Sequence, residues 1–529
     1  MRVNFVLKNY KCFEDTHPAR FSIRRGDTAF VGVNNAGKST LLRFFYDFRV
    51  LFQLLSFPGS LLSSAIIPSQ QVIFNSSDPR AMFSNLNDRV MEIEITLERE
   101  EGDQIPFPQF VNGVHIIIDR ITLQPQIQLN FGEGYLSGAE LQRRIANTTN
   151  DMWHLNSGIL ADPKPLCRTM GYIVNSLYVG AFRNVLSVQG GQYYDIVVGR
   201  EMVSTWNHWK NGLTDQERQS AIKLTGDLER IFGFPRLEIN PSADGNTLII
   251  RIGNASYPLL DVGSGFAQFF LVLATAAVKK PAYILIDEPE LNLHPSLQVD
   301  FLTTLATYAS QGVVFSTHNY GLARTADDIY LVSRISSNQS DVKLHETETH
   351  LAQFLGELGF SAYRDLGFDK ILLVEGPTDV KTIQQFLRLY SKEHQVVLLA
   401  MHGSVGITRD AEEALLEVRR IAPDNIFALI DSERTSAGSP LEKNRQGFAA
   451  ICNTIGVKCH VLERTAIENY FTEQAIQRAI GNSAHALAHF ERPGRGARQW
   501  TKTQNWQISR YMSRHDLDVT DLGQFLASI

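Results

Sequence analysis

The sequence predicts an α/β protein with two successive domains, each built on a parallel sheet. A short strand at Thr28–Gly32 leads into a glycine-containing loop, and an apolar helix follows from Lys38 to about Leu54. From about Phe368 a second alternation of strands and helices begins. Its strands are Lys370–Val374, Val396–Ala400 and Ile426–Ile430. Strands that alternate with helices indicate parallel sheets, because each helix returns the chain to the same end of the sheet.

Length and composition are those of a folded chain with several domains. The chain has 529 residues, of which 44% are apolar and 20% are charged. This length predicts about three domains, and this balance excludes a largely disordered protein. The 50 Lys and Arg against 56 Asp and Glu give a net charge of −6. That value disfavours a basic nucleic-acid coat protein, although a local basic patch is compatible with it.

The predicted boundary between the two sheets falls near residues 350–368, where Gly356, Gly359 and Gly367 cluster. The domains we expect are 1–360, with an insertion at about 55–230 that would serve dimerisation; 366–480; and a small basic and aromatic helical segment at 481–529.

Cysteine content and hydropathy predict a soluble cytoplasmic protein. The four cysteines have no metal-type spacing and are too few for a disulfide framework, which suits a reducing compartment. The longest apolar stretch, Phe269–Val278, is shorter than the roughly 20 residues that a membrane-spanning helix needs. The first residues lack the apolar segment of a signal peptide. The cysteines are Cys12, Cys167, Cys452 and Cys459.

A phosphate-binding loop runs from Gly32 to Ser39 and fits the pattern G-x-x-x-x-G-K-[ST]. Backbone N–H groups of such a loop hold phosphates at a helix N-terminus. Lys38 would reach the β- and γ-phosphates of ATP, and the Ser39 hydroxyl would bind Mg²⁺. A chance glycine turn is the alternative, which the flanking strand and helix disfavour. The expected nucleotide contacts are Asn34, Asn35, Ala36, Gly37, Lys38, Ser39 and Thr40.

Two carboxylates stand at the C-terminal end of the predicted buried strand that begins at Tyr283. Charges at that point are costly unless they serve a metal or a reaction. Asp287 would support the Mg²⁺ shell, and Glu288 would polarise the attacking water as general base. An ordinary pair of strand-end charges is the alternative.

Two further segments carry candidate residues for the nucleotide site. Ser264 and Gly265 precede an apolar helix, where a Ser-Gly turn can hold a γ-phosphate, although a flexible turn is the alternative. His318 follows the strand Val313–Ser316, although a lone histidine is usually structural.

Together these motifs resemble the ABC-type ATPase head of the RecF/SMC class. The resemblance implies that Ser264 and Gly265 contact the nucleotide of a partner subunit, so that two heads form a homodimer. It also implies that His318 senses the γ-phosphate. Arg183 lies where related heads often carry an arginine, with a surface arginine as the alternative.

Acidic residues also close two strands of the second sheet. Glu375 follows Ile371–Val374, Asp379 comes four residues later, and Asp431 and Glu433 follow Ile426–Ile430. The carboxyl ends of parallel strands meet at one edge of a sheet. Carboxylates without a nearby thiol or paired histidine suit Mg²⁺ or Mn²⁺. Two such ions about 4 Å apart would stabilise the attacking and leaving oxygens of a phosphodiester displacement. A Rossmann-like domain with solvated acids is the alternative.

This acidic set resembles a TOPRIM domain, a Rossmann-like parallel-sheet fold. The chain departs from the usual second aspartate of this family by carrying the longer Glu433. His402-Gly403-Ser404 stands at the family's glycine turn. The resemblance implies that Glu468 is an extra metal ligand, with a helix-start acid as the alternative.

A basic stretch with interleaved aromatics lies near the C-terminus. Its cations would contact phosphates, while Trp500, Trp506 and Tyr511 would stack on bases. A solvated charged face over a small core is the alternative. Lys502 is similar to a lysine that supports cleavage in related nucleases. The cations are Arg492, Arg495, Arg498, Lys502, Arg510 and Arg514.

An ABC-type head followed by TOPRIM resembles the OLD (overcoming lysogenization defect) family of ATP-dependent nucleases. The resemblance implies an ATPase and endonuclease that cuts nucleic acid, DNA before RNA, in anti-phage defence. It implies ATP and Mg²⁺ or Mn²⁺ as cofactors, with Glu288 catalytic in the head. A homodimer or higher oligomer would act beside a defence partner protein or a retron reverse transcriptase with its DNA.

Three alternatives to this function remain open. They are a defence nuclease acting on tRNA, a RecF-like DNA-binding ATPase, and a nucleotide switch with an inactive TOPRIM domain.

Overall fold

The chain forms two compact units in the computed structural model. One comprises Met1–His318 and Asp328–His345, and the other comprises Asn319–Asp327 and Glu346–Ile529. The structure describes residues 1–529 except 68–73, 76–77, 100–110, 133, 150, 157–159, 182–189, 213, 324, 337, 346–369, 394, 402–411, 413–414, 417–418, 420–424 and 492–499. The predicted boundary near 350–368, Arg183, His402-Gly403-Ser404, Arg492, Arg495 and Arg498 lie outside the described residues.

The first unit combines a parallel and an antiparallel sheet with helices. Its strands are β1 (Arg2–Lys8), β2 (Ala19–Ile23), β3 (Thr28–Val31), β4 (Met91–Glu98), β5 (Gly113–Ile118), β6 (Pro125–Asn130), β7 (Tyr135–Leu136), β8 (Ile145–Thr149), β9 (Met152–Leu155), β10 (Leu160–Ala161), β11 (Ser176–Val179), β12 (Gly190–Tyr193), β13 (Ile196–Val198), β14 (Leu237–Pro241), β15 (Leu248–Ile252), β16 (Ala255–Pro258), β17 (Tyr283–Asp287), β18 (Gly312–Thr317), β19 (Asp328–Arg334) and β20 (Ser340–Leu344). Its helices are α1 (Lys38–Asp47), α2 (Arg49–Leu55), α3 (Pro58–Ile66), α4 (Gly138–Arg144), α5 (Lys164–Val174), α6 (Gly199–Asn211), α7 (Asp215–Phe232), α8 (Ser264–Lys279) and α9 (Pro295–Ala306), with 3-10 turns at Pro79–Met82 and Leu259–Asp261.

The parallel sheet of the first unit has the strand order β11-β17-β18-β3-β19-β20, with β20 antiparallel. Strand β17 is buried along its whole length, which explains its continuous apolar sequence. Its register pairs Asp287 with Ser316 of β18. Strand β18 in turn pairs with β3. The carboxyl ends of β3, β17 and β18 therefore bring the phosphate-binding loop, Asp287 and His318 to one edge.

The antiparallel sheet has the order β2-β1-β4-β5-β6-β7. Alternate residues of β1 are buried, as an antiparallel strand with one core face requires. Among them Phe5 packs against Phe44 and Phe45 of α1, with ring centroids 5.9 Å and 5.4 Å apart.

Residues 55–230, predicted as an insertion, are built into both sheets of this unit. Strand β4 pairs with β1 from Arg2↔Glu98 to Lys8↔Glu92, and β11 pairs with β17. These strands bury their apolar faces in the core that surrounds α1. The insertion at about 55–230 and its role in dimerisation stay predictions.

The apolar helix expected from Lys38 to about Leu54 is divided in two. Helix α1 ends at Asp47, and α2 begins at Arg49. The break at Phe48 lets Phe44 and Phe52 face each other, with ring centroids 5.5 Å apart. Within the described ranges no single helix is long and apolar enough to cross a membrane, although the pair α2 and α3, bent by 101°, passes the same criteria together.

The second unit is a parallel sheet covered by helices on both faces. Its strand order is β22-β21-β23-β24. These strands are β21 (Lys370–Val374), β22 (Val396–Ala400), β23 (Ile426–Ile430) and β24 (Lys458–Val461). Its helices include α10 (Tyr320–Ala323), α11 (Pro377–Leu389), α12 (Lys443–Ile455), α13 (Glu473–Ala479), α14 (Asn505–Ser509), α15 (Arg514–Asp518) and α16 (Asp521–Ser528), with 3-10 turns at Ile467–Tyr470 and Lys502–Gln504.

The C-terminal segment belongs to the core of the second unit. Trp500, Ile508 and Leu526 are buried in the same apolar cluster as Leu372 of β21. The apolar side chains of the segment predicted at 481–529 therefore cover one face of the sheet. Stacking of bases on Trp500 and Trp506 is also wrong, since these rings are only 4% and 3% exposed, whereas Tyr511 is 49% exposed.

One buried carboxylate ties α16 to the edge strand β24. Asp521 accepts hydrogen bonds from His460 Nε2 at 3.0 Å, Tyr470 Oη at 2.7 Å and the N–H of Glu463 at 2.9 Å. Although burial alone would raise it, these hydrogen bonds lower the pKa of Asp521 to about 2. The contribution to stability is present above the unfolded-state pKa of about 3.9 and is lost as pH falls through the folded-state value.

We expect Asp521→Asn to destabilise the second unit by about 1–2 kcal/mol at pH 7. The difference from wild type should shrink as the pH is lowered from about 4 to about 2. Hydrogen exchange of the β24 and α16 backbone amides measures this difference in stability between Asp521→Asn and wild type. The control is Asp215→Asn, whose side chain is 87% exposed. Equal effects of both substitutions at pH 7 would contradict this account.

Candidate nucleotide site and acidic site

The phosphate-binding loop packs too tightly for side chains at its two glycines. A Cβ on Gly32 would lie 2.0 Å from the carbonyl oxygen of Val332. Gly37 has φ 102°, and a Cβ there would lie 2.9 Å from Cys12 Sγ. Glycine is therefore required at both ends of the loop. Between them Asn34 and Asn35 are exposed and Ala36 is buried.

Lys38 and Ser39 project from the start of α1 towards the acidic end of β17. Lys38 is 4% exposed, and its Nζ donates to the carbonyl oxygen of Val33 at 2.9 Å. Burial lowers the pKa of Lys38, while the charges of Glu288, Asp287 and Glu290 raise it. The next residue, Thr40, is half-buried, and its carbonyl oxygen accepts from Tyr10 Oη at 3.3 Å.

The Ser39 hydroxyl and the Asp287 carboxylate lie side by side. Ser39 Oγ donates to Asp287 Oδ1 at 2.9 Å, and Ser316 Oγ donates to the same oxygen. Burial raises the pKa of Asp287, and the two hydroxyl groups oppose that shift. Hard oxygen donors in contact are the chemistry that Mg²⁺ prefers, so this pair fits the predicted ion.

Glu288 is held in a strained backbone conformation. Its φ is 50°, and its N–H donates to the carbonyl oxygen of Ser316 at 3.0 Å. A non-glycine residue in the left-handed region costs about 1–3 kcal/mol and is found most often at functional sites. The strain is consistent with the predicted general base, which stays a prediction.

Glu290 is the residue that the sequence reasoning missed at this site. It is 7% exposed, and its Oε1 accepts from the Thr317 hydroxyl and from the His318 N–H at 3.1 Å. His318 Nδ1 also lies 3.1 Å from this oxygen, and this hydrogen bond is the main cause that raises the pKa of His318. The only sequence signal was its place three residues after Asp287.

Ser264 is exposed at the start of α8, and Gly265 follows it. A Cβ on Gly265 would lie 2.7 Å from the carbonyl oxygen of Asn292, in the loop after β17. The structure therefore joins the turn to the strand that carries Asp287 and Glu288. Contact of Ser264 and Gly265 with a partner's nucleotide stays a prediction.

We expect Glu290→Gln to lower the pKa of the His318 imidazole, because the substitution removes the hydrogen-bonded carboxylate that raises it. In wild type the ion pair stabilises the protein below pH 6.5, and this contribution is lost as pH rises through the raised pKa. An NMR titration of isotope-labelled histidines measures the pKa, and His318→Asn assigns the signal. An unchanged titration midpoint would show that Glu290 does not hold this ring.

In the second unit, Glu375, Asp379 and Asp431 converge at the carboxyl edge of the sheet. The N–H of Asp431 donates to Glu375 Oε1 at 2.8 Å, and the N–H of Gly376 donates to Asp379 Oδ2 at 2.9 Å. Burial raises the pKa of Asp379 to about 7, and the charges of Glu375 and Glu468 also raise it. Burial, Glu375 and Asp379 raise the pKa of Asp431 in the same way.

Glu468 and Lys502 border this group of acids. Glu468 is 1% exposed, and its Oε1 lies 3.7 Å from Lys502 Nζ. The charges of Glu468, Asp431 and Asp379 hold the pKa of Lys502 above its usual range, although burial opposes them. Lys502 is thus brought to the acidic edge from the C-terminal part of the chain.

Arg445 of α12 is a second residue that the sequence reasoning missed. It is 8% exposed; its Nη1 donates to Glu375 Oε1, and its Nη2 lies 3.4 Å from Glu375 Oε2. The same Nη2 lies 3.6 Å from Glu433 Oε1. The contact spans 70 residues of chain, so no local pattern could have indicated it.

Across the described ranges, no three or more His, Cys, Asp and Glu side chains form a group arranged to hold a metal ion. The metal ligands therefore stay predictions. They are Ser39, Asp287, Glu375, Asp379, Asp431, Glu433 and Glu468.

One protein-family model matches part of this chain. Residues 210–324 match the family model AAA_21, described as "AAA domain, putative AbiEii toxin, Type IV TA system". That range contains Ser264, Asp287, Glu288 and His318. No curated protein sequence matches the chain. Over residues 210–324, this match supports the ATPase part of the sequence prediction.

Solved SMC heads are among the structures similar to this chain. An SMC head bound to the C-winged helix domain of ScpA has a TM-score of 0.37 at 13% identity, covering 65% of this chain and 97% of that chain. The SMC head domain from Thermotoga maritima has a TM-score of 0.33 at 16% identity, covering 65% and 100%. A third structure is an SMC head with an extended coiled coil, bound to the C-terminal domain of ScpA derived from Pyrococcus furiosus. Its TM-score is 0.36 at 13% identity, and the match covers 66% of this chain and 97% of that chain.

Proposed function

We propose that this protein is an ATP-regulated, metal-dependent nuclease whose second unit is a TOPRIM-type catalytic domain. The observation that carries the proposal is the convergence of buried carboxyl groups and Lys502 at the carboxyl edge of a parallel sheet. Glu375 follows β21, Asp431 follows the neighbouring strand β23, and Asp379 lies in the first turn of α11. Glu468 lies in the 3-10 turn Ile467–Tyr470, and its charge acts on Asp379 and Asp431.

The electrostatics of this group favour a divalent cation. Burial and mutual repulsion raise the pKa of Asp379 to about 7 and that of Asp431 well above its usual range. Buried acids that repel one another are costly unless protons or cations neutralise them. Because all of these donors are carboxylate oxygens, Mg²⁺ or Mn²⁺ fits them better than a softer metal.

Each side chain has a distinct role in the proposed reaction. Glu375, Asp379 and Asp431 would hold the metal, with Glu433 and Glu468 as additional ligands. When bound, Mg²⁺ or Mn²⁺ supplies Lewis-acid stabilisation of phosphodiester oxygens. The Lys502 ammonium would stabilise negative charge on the phosphate that is cut.

The first unit would control this activity through ATP. Lys38 and Ser39 would bind the phosphates and Mg²⁺, and Glu288 would act as the general base, with His318 at the γ-phosphate. In a homodimer of heads, Ser264 and Gly265 would complete the partner's nucleotide site. We further propose that the substrate is DNA. The activity would serve anti-phage defence, and the protein would act beside a partner protein or a retron reverse transcriptase with its DNA.

A substrate panel tests the proposal. Purified protein is incubated with supercoiled plasmid, phage DNA or total tRNA, with Mg²⁺ or Mn²⁺, and with or without ATP. We expect cleavage of DNA that EDTA abolishes. Cleavage of tRNA alone would favour the tRNA alternative. Absence of cleavage under every condition would contradict the nuclease and favour a RecF-like DNA-binding ATPase or a nucleotide switch.

A further inference from the structure

Arg445 places a permanent positive charge inside the acidic site. Its guanidinium contacts both oxygens of Glu375 and lies 3.6 Å from Glu433 Oε1. The side chains of Arg445 and Glu375 are only 10% and 14% exposed. Water therefore screens this ion pair weakly, and the pair is stronger than one on the surface.

Arg445 contacts Glu375, which is the first residue along the chain among the proposed metal ligands of the second unit. Glu375 Oε1 already accepts from the N–H of Asp431 as well as from Arg445 Nη1. The charges of Glu375, Asp431 and Glu433 raise the pKa of Arg445, so the guanidinium stays charged at any physiological pH. A divalent cation that approaches Glu375 meets both an occupied oxygen and a like charge.

The second cation of the site has a different partner. Lys502 Nζ lies 3.7 Å from Glu468 Oε1, and its side chain is 49% exposed. Lys502 therefore stands at the solvent side of the acids, whereas Arg445 is buried beside Glu375. Lys502 faces Glu468, an additional predicted ligand, whereas Arg445 contacts Glu375, the predicted ligand that follows β21.

We propose that Arg445 is the resident counter-cation of the acidic site, which a divalent metal displaces from Glu375 when the site is loaded. The guanidinium thereby sets the metal concentration at which the site fills. This inference rests on the proposed function, since it concerns the metal ligands of the same site. It differs from a structural role in one respect: a merely structural arginine would not weaken metal binding.

Isothermal titration of the full chain with Mn²⁺ tests the inference. EDTA-treated protein is titrated with ATP absent, comparing wild type with Arg445→Gln and Arg445→Lys. We expect Mn²⁺ to bind Arg445→Gln about tenfold more tightly, because a competing charge next to a carboxylate is removed. Arg445→Lys keeps the charge and should bind Mn²⁺ close to wild-type strength. Arg478→Gln, an exposed charge loss on α13, should leave the affinity unchanged.

Unchanged or weaker Mn²⁺ binding by a folded Arg445→Gln protein would overturn the inference. Thermal melting checks folding, and if Arg445→Gln does not fold, Arg445→Met replaces it with the same expected gain in affinity. Glu375→Gln in the Arg445→Gln background should cancel the gain, since it removes the freed ligand; a persisting gain would also overturn the inference.

Failure of the proposed nuclease is distinguishable from failure of this inference. If wild type cuts no substrate but Arg445→Gln binds Mn²⁺ more tightly, the counter-cation role stands and the nuclease does not. If wild type cuts DNA but wild type and Arg445→Gln bind Mn²⁺ with equal affinity, the nuclease stands and the counter-cation role of Arg445 does not.

Discussion

Lys38→Ala should abolish measurable ATP hydrolysis, lowering the rate by about a hundredfold or more. Lys38 is buried among acids, since the charges of Glu288, Asp287 and Glu290 all act on its ammonium group. Without this cation, the phosphates of ATP would face three carboxylates with one fewer positive charge to offset them. We therefore expect weaker nucleotide binding as well as slower hydrolysis.

The measurement is release of inorganic phosphate from MgATP, together with binding of a fluorescent ATP analogue. Lys343→Ala is the matched control, because it removes a lysine of the same unit whose side chain is 76% exposed. The control should hydrolyse ATP at the wild-type rate. Hydrolysis by Lys38→Ala within about twofold of wild type would contradict the assignment of this loop.

Sequence reasoning predicted best the elements whose signal is local. Strands β17 and β23 are continuous apolar runs because they are buried on both faces of a parallel sheet, and the structure places both where they were expected. The acids that follow each strand are adjacent to it in sequence, so their placement at the carboxyl edge of that strand's own sheet follows from strand direction alone.

Contacts between distant residues could not be predicted in the same way. Arg445 and Glu375 are 70 residues apart, and one arginine in a polar helix gives no sign of its partner. The burial of Trp500 was hidden for a similar reason. Arg498 and Lys502 lie two residues to either side of it in sequence, whereas its neighbours in space are the apolar side chains of another part of the unit.

Glu375→Gln should abolish nucleic-acid cleavage while leaving ATP hydrolysis intact. The amide preserves the shape of the side chain and an oxygen that can accept from the N–H of Asp431. It removes a negative charge that, with Asp379 and Asp431, would hold the divalent metal. We expect the cleavage rate to fall by about a hundredfold or more. Lys38 belongs to the other compact unit, so its chemistry should not change.

Plasmid cleavage and phosphate release are measured on the same preparation, which separates a lost activity from a lost fold. Glu473→Gln removes an acid of the same unit that is exposed at the start of α13, and it should cut at the wild-type rate. Because Glu375→Gln also removes the charge that faces Arg445, its melting temperature must be compared with wild type. A folded Glu375→Gln protein that still cuts DNA at the wild-type rate would refute the catalytic role of Glu375.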